Sequence, residues 1–353
     1  MVPAPRALLS PDAAPPLPLT PRPSPPRRRY AQAAVLRIFY SLDPLRTGAI
    51  SGGALRASPL LAALRSLDPG GDASDDINAE RRYFSYEHFY VLFCAFCRLD
   101  DDRDGLLSLR DLQRYGNFGL SGRIAQRVFD ARRCAPPPPR RRAIIRRNSA
   151  TQLVAHRRPL PSSTRSGADG MDFGDFAWFV LSEEDKTSRT ACGYWFRLLD
   201  LDDDGVISPA EMEYFYEEQA QRQMLLSQEP VAFANVVTQL LDAIKPRAGG
   251  TSFTLADVRR SQMCGLLVHT LCNINKFLLA EMSDTSTPRQ PGGWTDWDRF
   301  AAAEYNRLLL EEDEQQGEGG FDENELEHDD EDEPLFQVDA EGLGDGGEAD
   351  RMM

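Results

Sequence analysis

The sequence predicts an all-α protein built from tandem helix–loop–helix units, with short β-bridges only where two loops pair. Two observations carry this prediction. First, the stretches 100–111 and 200–211 each place aspartates at positions 1, 3 and 5 and a glycine at position 6 of a 12-residue loop. Second, apolar residues recur at helical spacing before and after each stretch, which is typical of amphipathic helices. Both loops are therefore expected to lie between two helices.

The stretch 200–211 fills every demanding position of a calcium-binding EF-hand loop. Its candidate ligands are the oxygens at positions 1, 3, 5, 7, 9 and 12, which belong to Asp200, Asp202, Asp204, Val206, Ser208 and Glu211. A hard divalent cation takes about six to eight such oxygens at roughly 2.3–2.6 Å. The alternative is an acidic helix-capping turn that binds no ion. Three alternating carboxylates, a glycine at the bend and a glutamate able to bind through both oxygens favour the calcium site.

The stretch 100–111 offers a second, less complete set of ligands. They are Asp100, Asp102, Asp104, Leu106 through its carbonyl, Ser108 and Asp111. The last residue is the departure, because aspartate is one methylene shorter than glutamate and reaches an ion with both oxygens less easily. Arg103 also places a positive charge beside the ligands. We therefore expect a weaker site that tolerates magnesium better.

Three further segments have the outline of the same unit without its ligands. The segment 43–54 keeps an acidic first residue and the glycine, but leucine and alanine stand at positions 3 and 12. Residues 160–175 form a second such unit, and a third ends at Asp257. Met171 and Ile207 occupy position 8 of their loops and lie 36 residues apart. This interval, normal for paired EF-hands, predicts a β-bridge between those two residues.

Composition divides the chain into five parts. Apolar helical patterns fill two regions, and three segments of biased composition are predicted to be disordered. The parts are a Pro/Arg-rich tail (1–29), an N-terminal EF-hand region (30–130), a basic insertion (131–168), a C-terminal EF-hand region with the last helices (169–312) and an acidic tail (313–353). Within the C-terminal region, helices are predicted over 231–244, over 258–281 and from 294 to about 312.

The three biased segments leave alternatives open. Residues 1–29 contain ten prolines and a single acidic residue, and a transit peptide is an alternative to a simple tail. Residues 131–168 contain ten arginines and no acidic residue. Nuclear import or nucleic-acid contact is an alternative there to a solvated loop. Residues 311–350 hold 19 aspartates and glutamates and no lysine or arginine, so most of the net charge of −15 belongs to this tail.

Several functional classes are not expected. The sequence has no run of 18 apolar residues, so no membrane span is predicted. Six cysteines are scattered without zinc spacing, which favours buried, reduced thiols in an intracellular protein. The metallophosphatase signatures GDxHG, GDxxDRG and GNHE are absent, and no nucleophile–base arrangement occurs. We therefore predict a protein without catalytic residues, which is not an enzyme.

Six long blocks point to a known family. They are Phe84-SYEHFYVLFC, Leu99-DDDRDGLLSLRDLQRYGN, Phe179-VLSEEDK, Tyr194-WFRLLDLDDDG, Glu211-MEYFYEEQ and Trp294-TDWDRFAAAEY. With them, residues 30–312 resemble the B-double-prime regulatory subunits of protein phosphatase 2A, particularly the plant and algal forms. In that family, too, the first loop ends in aspartate and the second is more complete. The three biased segments depart from the family pattern.

The resemblance implies a calcium-binding regulatory subunit. Such a protein would bind the helical-repeat scaffold subunit and the catalytic subunit, and it would select phosphoprotein substrates while calcium tunes the assembly. Neither a membrane nor a nucleic acid is expected as a partner. The expected location is the cytoplasm, with the nucleus as an alternative. Two other hypotheses stay open: a free-standing EF-hand calcium sensor, and a scaffold protein whose loops hold a structural ion permanently.

Overall fold

The computed structural model of the protein describes residues 27–66, 77–131, 170–282 and 293–318. Within these ranges the chain forms fourteen α-helices and one antiparallel pair of short strands. The helices are α1 (Arg27–Leu42), α2 (Gly52–Ala57), α3 (Leu60–Ser66), α4 (Tyr86–Leu99), α5 (Leu109–Arg114), α6 (Gly122–Ala131), α7 (Phe173–Glu184), α8 (Arg189–Leu199), α9 (Pro209–Leu225), α10 (Phe233–Ile244), α11 (Leu255–Ser261), α12 (Cys264–Cys272), α13 (Ile274–Met282) and α14 (Asp296–Glu318). The strands are β1 (Val206–Ile207) and β2 (Phe253–Thr254). The all-α prediction is confirmed.

The helices enclose the loops that the sequence predicts. Helices α1 and α2 flank the segment 43–54, α4 and α5 flank 100–111, α8 and α9 flank 200–211, and α10 and α11 flank the unit that ends at Asp257. Each exit helix begins at a serine or threonine whose side chain accepts a hydrogen bond from the backbone three residues later. Such caps satisfy backbone N–H groups that a helix leaves unpaired at its start.

The pairing of the loops differs from the sequence prediction. Ile207 pairs with Phe253, and Met171 forms an isolated bridge with Leu107. In that bridge each backbone N–H donates to the partner's carbonyl, at 2.7 and 2.8 Å. The predicted Met171–Ile207 bridge is therefore wrong. The two segments approach so closely that a Cβ on Gly170 would lie 2.4 Å from the Cβ of Leu106.

Packing between helices explains this choice of partner. Phe96 on α4 makes edge-to-face contacts with Phe173 and Phe176 on α7, both with ring centroids 5.6 Å apart. Aromatic pairs in this arrangement are favourable beyond the area that they bury. All three side chains are buried in the main core cluster. The contacts between α4 and α7 thereby bring Leu107 and Met171 together, although these residues are far apart along the chain.

The long helix predicted over 258–281 is divided into α11, α12 and α13. Gln262 ends α11 with a left-handed backbone, φ +59°. Asn273 separates α12 from α13 with an extended backbone and forms a bridge with Leu120. Its side-chain amide donates to Glu183 Oε1 at 2.8 Å. The helix is interrupted here because the neighbouring backbone groups bond to another segment: the Ile274 N–H donates to the Gly119 carbonyl at 3.0 Å, and the Cys272 carbonyl accepts from the Ser121 N–H at 2.8 Å.

Most buried side chains belong to one cluster that draws on helices from α1 to α14. Five cysteines lie in the described ranges as free thiols, four of them buried, whereas Cys97 is exposed and departs from the prediction. No described helix is long and apolar enough to cross a bilayer. One compact unit extends to Leu308, and the second, 309–353, is described only to Glu318, where α14 ends. The predicted tails and the basic insertion lie outside the described residues, apart from a few residues at their edges.

Candidate metal centre

The loop 200–211 gathers its three aspartates at the end of α8. Carboxylate oxygens of Asp200, Asp202 and Asp204 lie within 4.8 Å of one another. Asp200 is buried, and its Oδ2 accepts a hydrogen bond from the Gly205 N–H at 2.9 Å. Oδ1 of Asp204 accepts from the Val206 N–H at 2.7 Å. These bonds fold the loop around the three carboxylates, as a cation site of this type requires.

Two residues of this loop have a left-handed backbone. Asp203 has φ +56°, and Gly205 has φ +86° with no heavy atom within 4 Å of the place that a Cβ would take. A glycine is therefore required at residue 205 because of the backbone conformation, and not because space for a side chain is lacking. The sharp bend turns the chain toward the carbonyl of position 7 and then into β1.

Glu211 closes the loop from its far end. Its Oε1 accepts a hydrogen bond from the Leu201 N–H at 2.6 Å, and its Oε2 accepts from the Ser208 N–H at 2.7 Å. The Ser208 hydroxyl completes a capping box at the start of α9. Glu211 is not among the carboxylates that lie within 4.8 Å of one another. The structure thus places it at the loop's closure, next to the aspartate cluster.

The loop 100–111 repeats this arrangement with one difference at its first aspartate. Carboxylate oxygens of Asp100, Asp102 and Asp104 again lie within 4.8 Å of one another. Oδ2 of Asp100 accepts from the Gly105 N–H at 3.0 Å, whereas its Oδ1 is buried without any hydrogen-bond partner. A buried carboxylate oxygen without a donor is costly. A cation in the loop would remove that cost, so the residues present fit a bound ion.

The same geometry governs the electrostatics of the first aspartates. Burial raises the pKa of Asp200, the Gly205 N–H partly offsets this rise, and the neighbouring carboxylates add to it. Burial likewise raises the pKa of Asp100, and the carboxylates of Asp102 and Asp104 contribute in the same direction. Like charges held this close repel one another. A divalent cation among them would relieve the repulsion.

The position-12 carboxylate of the loop 100–111 is occupied on both oxygens. Oδ2 of Asp111 accepts hydrogen bonds from the Ser108 N–H at 2.8 Å and the Ser108 hydroxyl at 2.6 Å. Its Oδ1 lies 3.3 Å from Nη2 of Arg114. Sequence reasoning missed this arginine. A comparison of the two loops could have revealed it, because the residue three places after Glu211 is Tyr214 and not an arginine.

Three comparisons bear on the identity of the chain. A family model described as EF hand matches residues 195–215. A chain of a solved PP2A PR70 holoenzyme, in a form designated diCa, is 36% identical with a TM-score of 0.58, over 71% of this chain and 80% of that one. The chain belongs to the B'' family of protein phosphatase 2A regulatory subunits. The predicted family is therefore confirmed.

Curated B'' proteins show the same relationship. The chain is 37% identical to the probable B''epsilon subunit of Arabidopsis thaliana, over 81% of this chain and 49% of that protein. It is 36% identical to the human B'' subunit alpha, over 85% of this chain and 24% of that protein. The chain thus spans about half the length of the Arabidopsis relative and a smaller share of the human one. B'' proteins are regulatory and not catalytic subunits, in agreement with the prediction of a protein that is not an enzyme.

Proposed function

We propose that the chain is a calcium-binding regulatory subunit of a protein phosphatase 2A holoenzyme. In this role it binds the helical-repeat scaffold subunit and the catalytic subunit, and it directs the choice of phosphoprotein substrates. The observation that carries the proposal is the similarity to the PR70 holoenzyme chain, which extends over 80% of that chain. We place this activity inside the cell, in the cytoplasm with the nucleus as an alternative.

We further propose calcium as the ion of both loops. Each loop offers only oxygen ligands, the donor set that calcium and magnesium prefer. In the loop 200–211 these are Asp200, Asp202, Asp204, Val206, Ser208 and Glu211, and in the loop 100–111 they are Asp100, Asp102, Asp104, Leu106, Ser108 and Asp111. The two clusters of three close carboxylates and the unpartnered oxygen of Asp100 support this proposal.

Calcium in the loop 200–211 would stiffen the platform to which the partners bind. The loop joins α8 to α9, and its strand β1 pairs with β2 at the end of the next unit. An ion that links carboxylates from both ends of the loop fixes the angle between α8 and α9. The loop 100–111 has the same position between α4 and α5. Calcium is then a regulator of assembly, and the catalysis belongs to the partner subunit.

Co-purification tests the assembly. The purified chain is mixed with scaffold and catalytic subunits of protein phosphatase 2A, either in calcium or in a chelator. We expect a ternary complex in calcium that is weaker with chelator and weaker with the Asp200→Ala variant. Absence of any complex in either condition contradicts the proposal. Calcium binding without a complex would instead identify a free-standing sensor, and a complex that ignores the chelator would identify a calcium-stabilised scaffold.

A further inference from the structure

Arg114 holds three acceptors at the end of the loop 100–111. Its Nη1 lies 2.6 Å from Asp101 Oδ2, and its Nη2 lies 2.6 Å from the Leu99 carbonyl and 3.3 Å from Asp111 Oδ1. The guanidinium thus joins the residue before the loop to the residue that ends it. An arginine is always charged at neutral pH. A fixed positive charge therefore contacts a candidate ligand of the cation.

The unit that ends at Asp257 contains the same arrangement without a carboxylate at positions 1, 3 and 5. Arg260 follows Asp257 by three residues, as Arg114 follows Asp111, and its Nη1 lies 3.0 Å from Asp257 Oδ1. Its Nη2 donates to the carbonyl of Lys245, the residue before that loop. Positions 1, 3 and 5 there are Pro246, Ala248 and Gly250. In this unit the arginine closes a loop that offers a cation no carboxylate at positions 1, 3 and 5.

The loop 200–211 lacks this arginine. Tyr214 stands at the matching position, and its ring lies 4.3 Å below the guanidinium of Arg123 on another helix. Among the residues that the structure describes, Glu211 accepts hydrogen bonds only from Leu201 and Ser208. No cation of the described part of the chain pairs with it. Within the described residues, the position-12 carboxylate of the loop 200–211 is thus not paired with a protein cation and is available to a metal ion.

We propose that Arg114 is the residue that sets the cation affinity of the loop 100–111, by acting as a built-in counter-ion for Asp111. This inference rests on the proposed calcium binding of that loop and deepens it. A cation that enters the loop must share Asp111 with the guanidinium or displace it, and either event weakens binding. A guanidinium that contacts a ligand of the ion also repels the ion. Near a protein surface such a repulsion weakens the binding of a divalent ion by about tenfold or more.

Calcium titration calorimetry on the full chain tests this proposal. The Asp200→Ala background weakens the other loop, so the remaining heat reports on the loop 100–111. We expect Arg114→Gln, which keeps a hydrogen-bond donor but loses the charge, to bind calcium about tenfold more tightly than this background. Arg65→Gln removes an exposed arginine of α3, which does not line the cavity of the loop 100–111. This matched control should leave the affinity nearly unchanged.

A reciprocal exchange tests the same idea in the other loop. In the Asp100→Ala background, Tyr214→Arg places a guanidinium three residues after Glu211 and should weaken calcium binding there. Tyr214→Gln, which adds no charge, is the control for loss of the ring. Thermal unfolding in chelator checks that each variant is folded before its affinity is compared.

The outcomes separate this inference from the proposed function. An unchanged or weaker affinity of folded Arg114→Gln shows that the arginine supports the site or is neutral to it, and this overturns the inference while calcium binding stands. No calcium binding in the Asp200→Ala background, with or without Arg114, overturns both the inference and the ion proposed for that loop. Assembly with the phosphatase subunits is measured independently by co-purification.

Discussion

Ile207 of the acidic loop 200–211 forms an antiparallel pair with Phe253, whose own loop has no carboxylate at positions 1, 3 and 5. Both side chains are fully buried. The ligand-free unit therefore supports the candidate calcium loop through its backbone and through its core. A unit that has lost its ion ligands keeps this structural role, because the bridge needs only two backbones and two apolar side chains.

Loss of the aromatic partner should destabilise the protein. We expect Phe253→Ala to lower the free energy of unfolding by about 3–5 kcal/mol, since it leaves a cavity in a packed core. It should also weaken calcium binding at the loop 200–211, because the bridge that orders the loop is disturbed. Urea unfolding in chelator and calorimetry in calcium measure the two effects. Phe118→Ala is the control, because Phe118 is 59% exposed; equal losses for both variants would contradict this role of Phe253.

The two position-12 residues should differ in importance. Glu211→Gln removes one negative charge from the more complete loop, so calcium affinity there should fall by roughly 100-fold. Asp111→Asn should cost less at its own loop, because Asp111 already shares its charge with Arg114. Calorimetry on each variant gives the comparison. The opposite order of losses would show that our ranking of the loops is wrong.

The bend of the loop 200–211 should tolerate only glycine well. Gly205→Ala forces a side chain into a left-handed backbone at φ +86°, at a cost of about 1–2 kcal/mol. Calcium binding should weaken and the unfolding midpoint should fall. Gly53→Ala in α2 is the control, since that position has no left-handed backbone and alanine favours a helix. A calcium affinity and an unfolding midpoint that both remain at wild-type values in Gly205→Ala would refute the requirement.

Glu183 forms the centre of a buried charge network. Its carboxylate lies 2.7 Å from the Lys186 ammonium and 3.0 Å from that of Lys276. Burial by itself would raise the pKa of Glu183, but the two ammonium groups lower it from 4.5 to about 2. The folded protein therefore holds this proton less tightly than the unfolded chain does.

The Glu183 carboxylate should contribute stability above pH 4.5 and lose that contribution as the pH falls from 4.5 toward 2. The lowered pKa of Glu183 contributes about 3 kcal/mol to the free energy of unfolding. Glu183→Gln leaves the buried Lys186 ammonium without its carboxylate partner, whereas Lys276 keeps its ion pair with Glu184. The variant should therefore be destabilised at pH 7 by about 3–5 kcal/mol. The difference in the free energy of unfolding between wild type and Glu183→Gln should become smaller as the pH falls from 4.5 toward 2.

Urea unfolding across this pH range checks the prediction. Glu217→Gln is the control, because Glu217 makes an exposed ion pair with Arg123 of the kind that contributes little. A difference between wild type and Glu183→Gln that stays constant with pH would exclude the linkage.

Much of the candidate site could be read from the sequence. Position-by-position matching identified both loops, and each aspartate cluster lies where its spacing predicts. The pairing of Met171 could not be predicted in this way. A spacing of 36 residues favoured Ile207, but the contacts of Phe96 with α7 bring Met171 to Leu107. Side-chain packing between helices, and not the interval along the chain, decides which loops meet.

The sequence by itself determined the all-α class, the two acidic loops and the B'' family, because a 12-residue loop carries its ligands and its bend within one short segment. Only the tertiary structure decided which loops pair and why the predicted helix over 258–281 is interrupted at Asn273. The physical reason is distance along the chain. Loop ligands are neighbours in sequence, whereas bridges and many buried charge contacts join residues that only packing brings together.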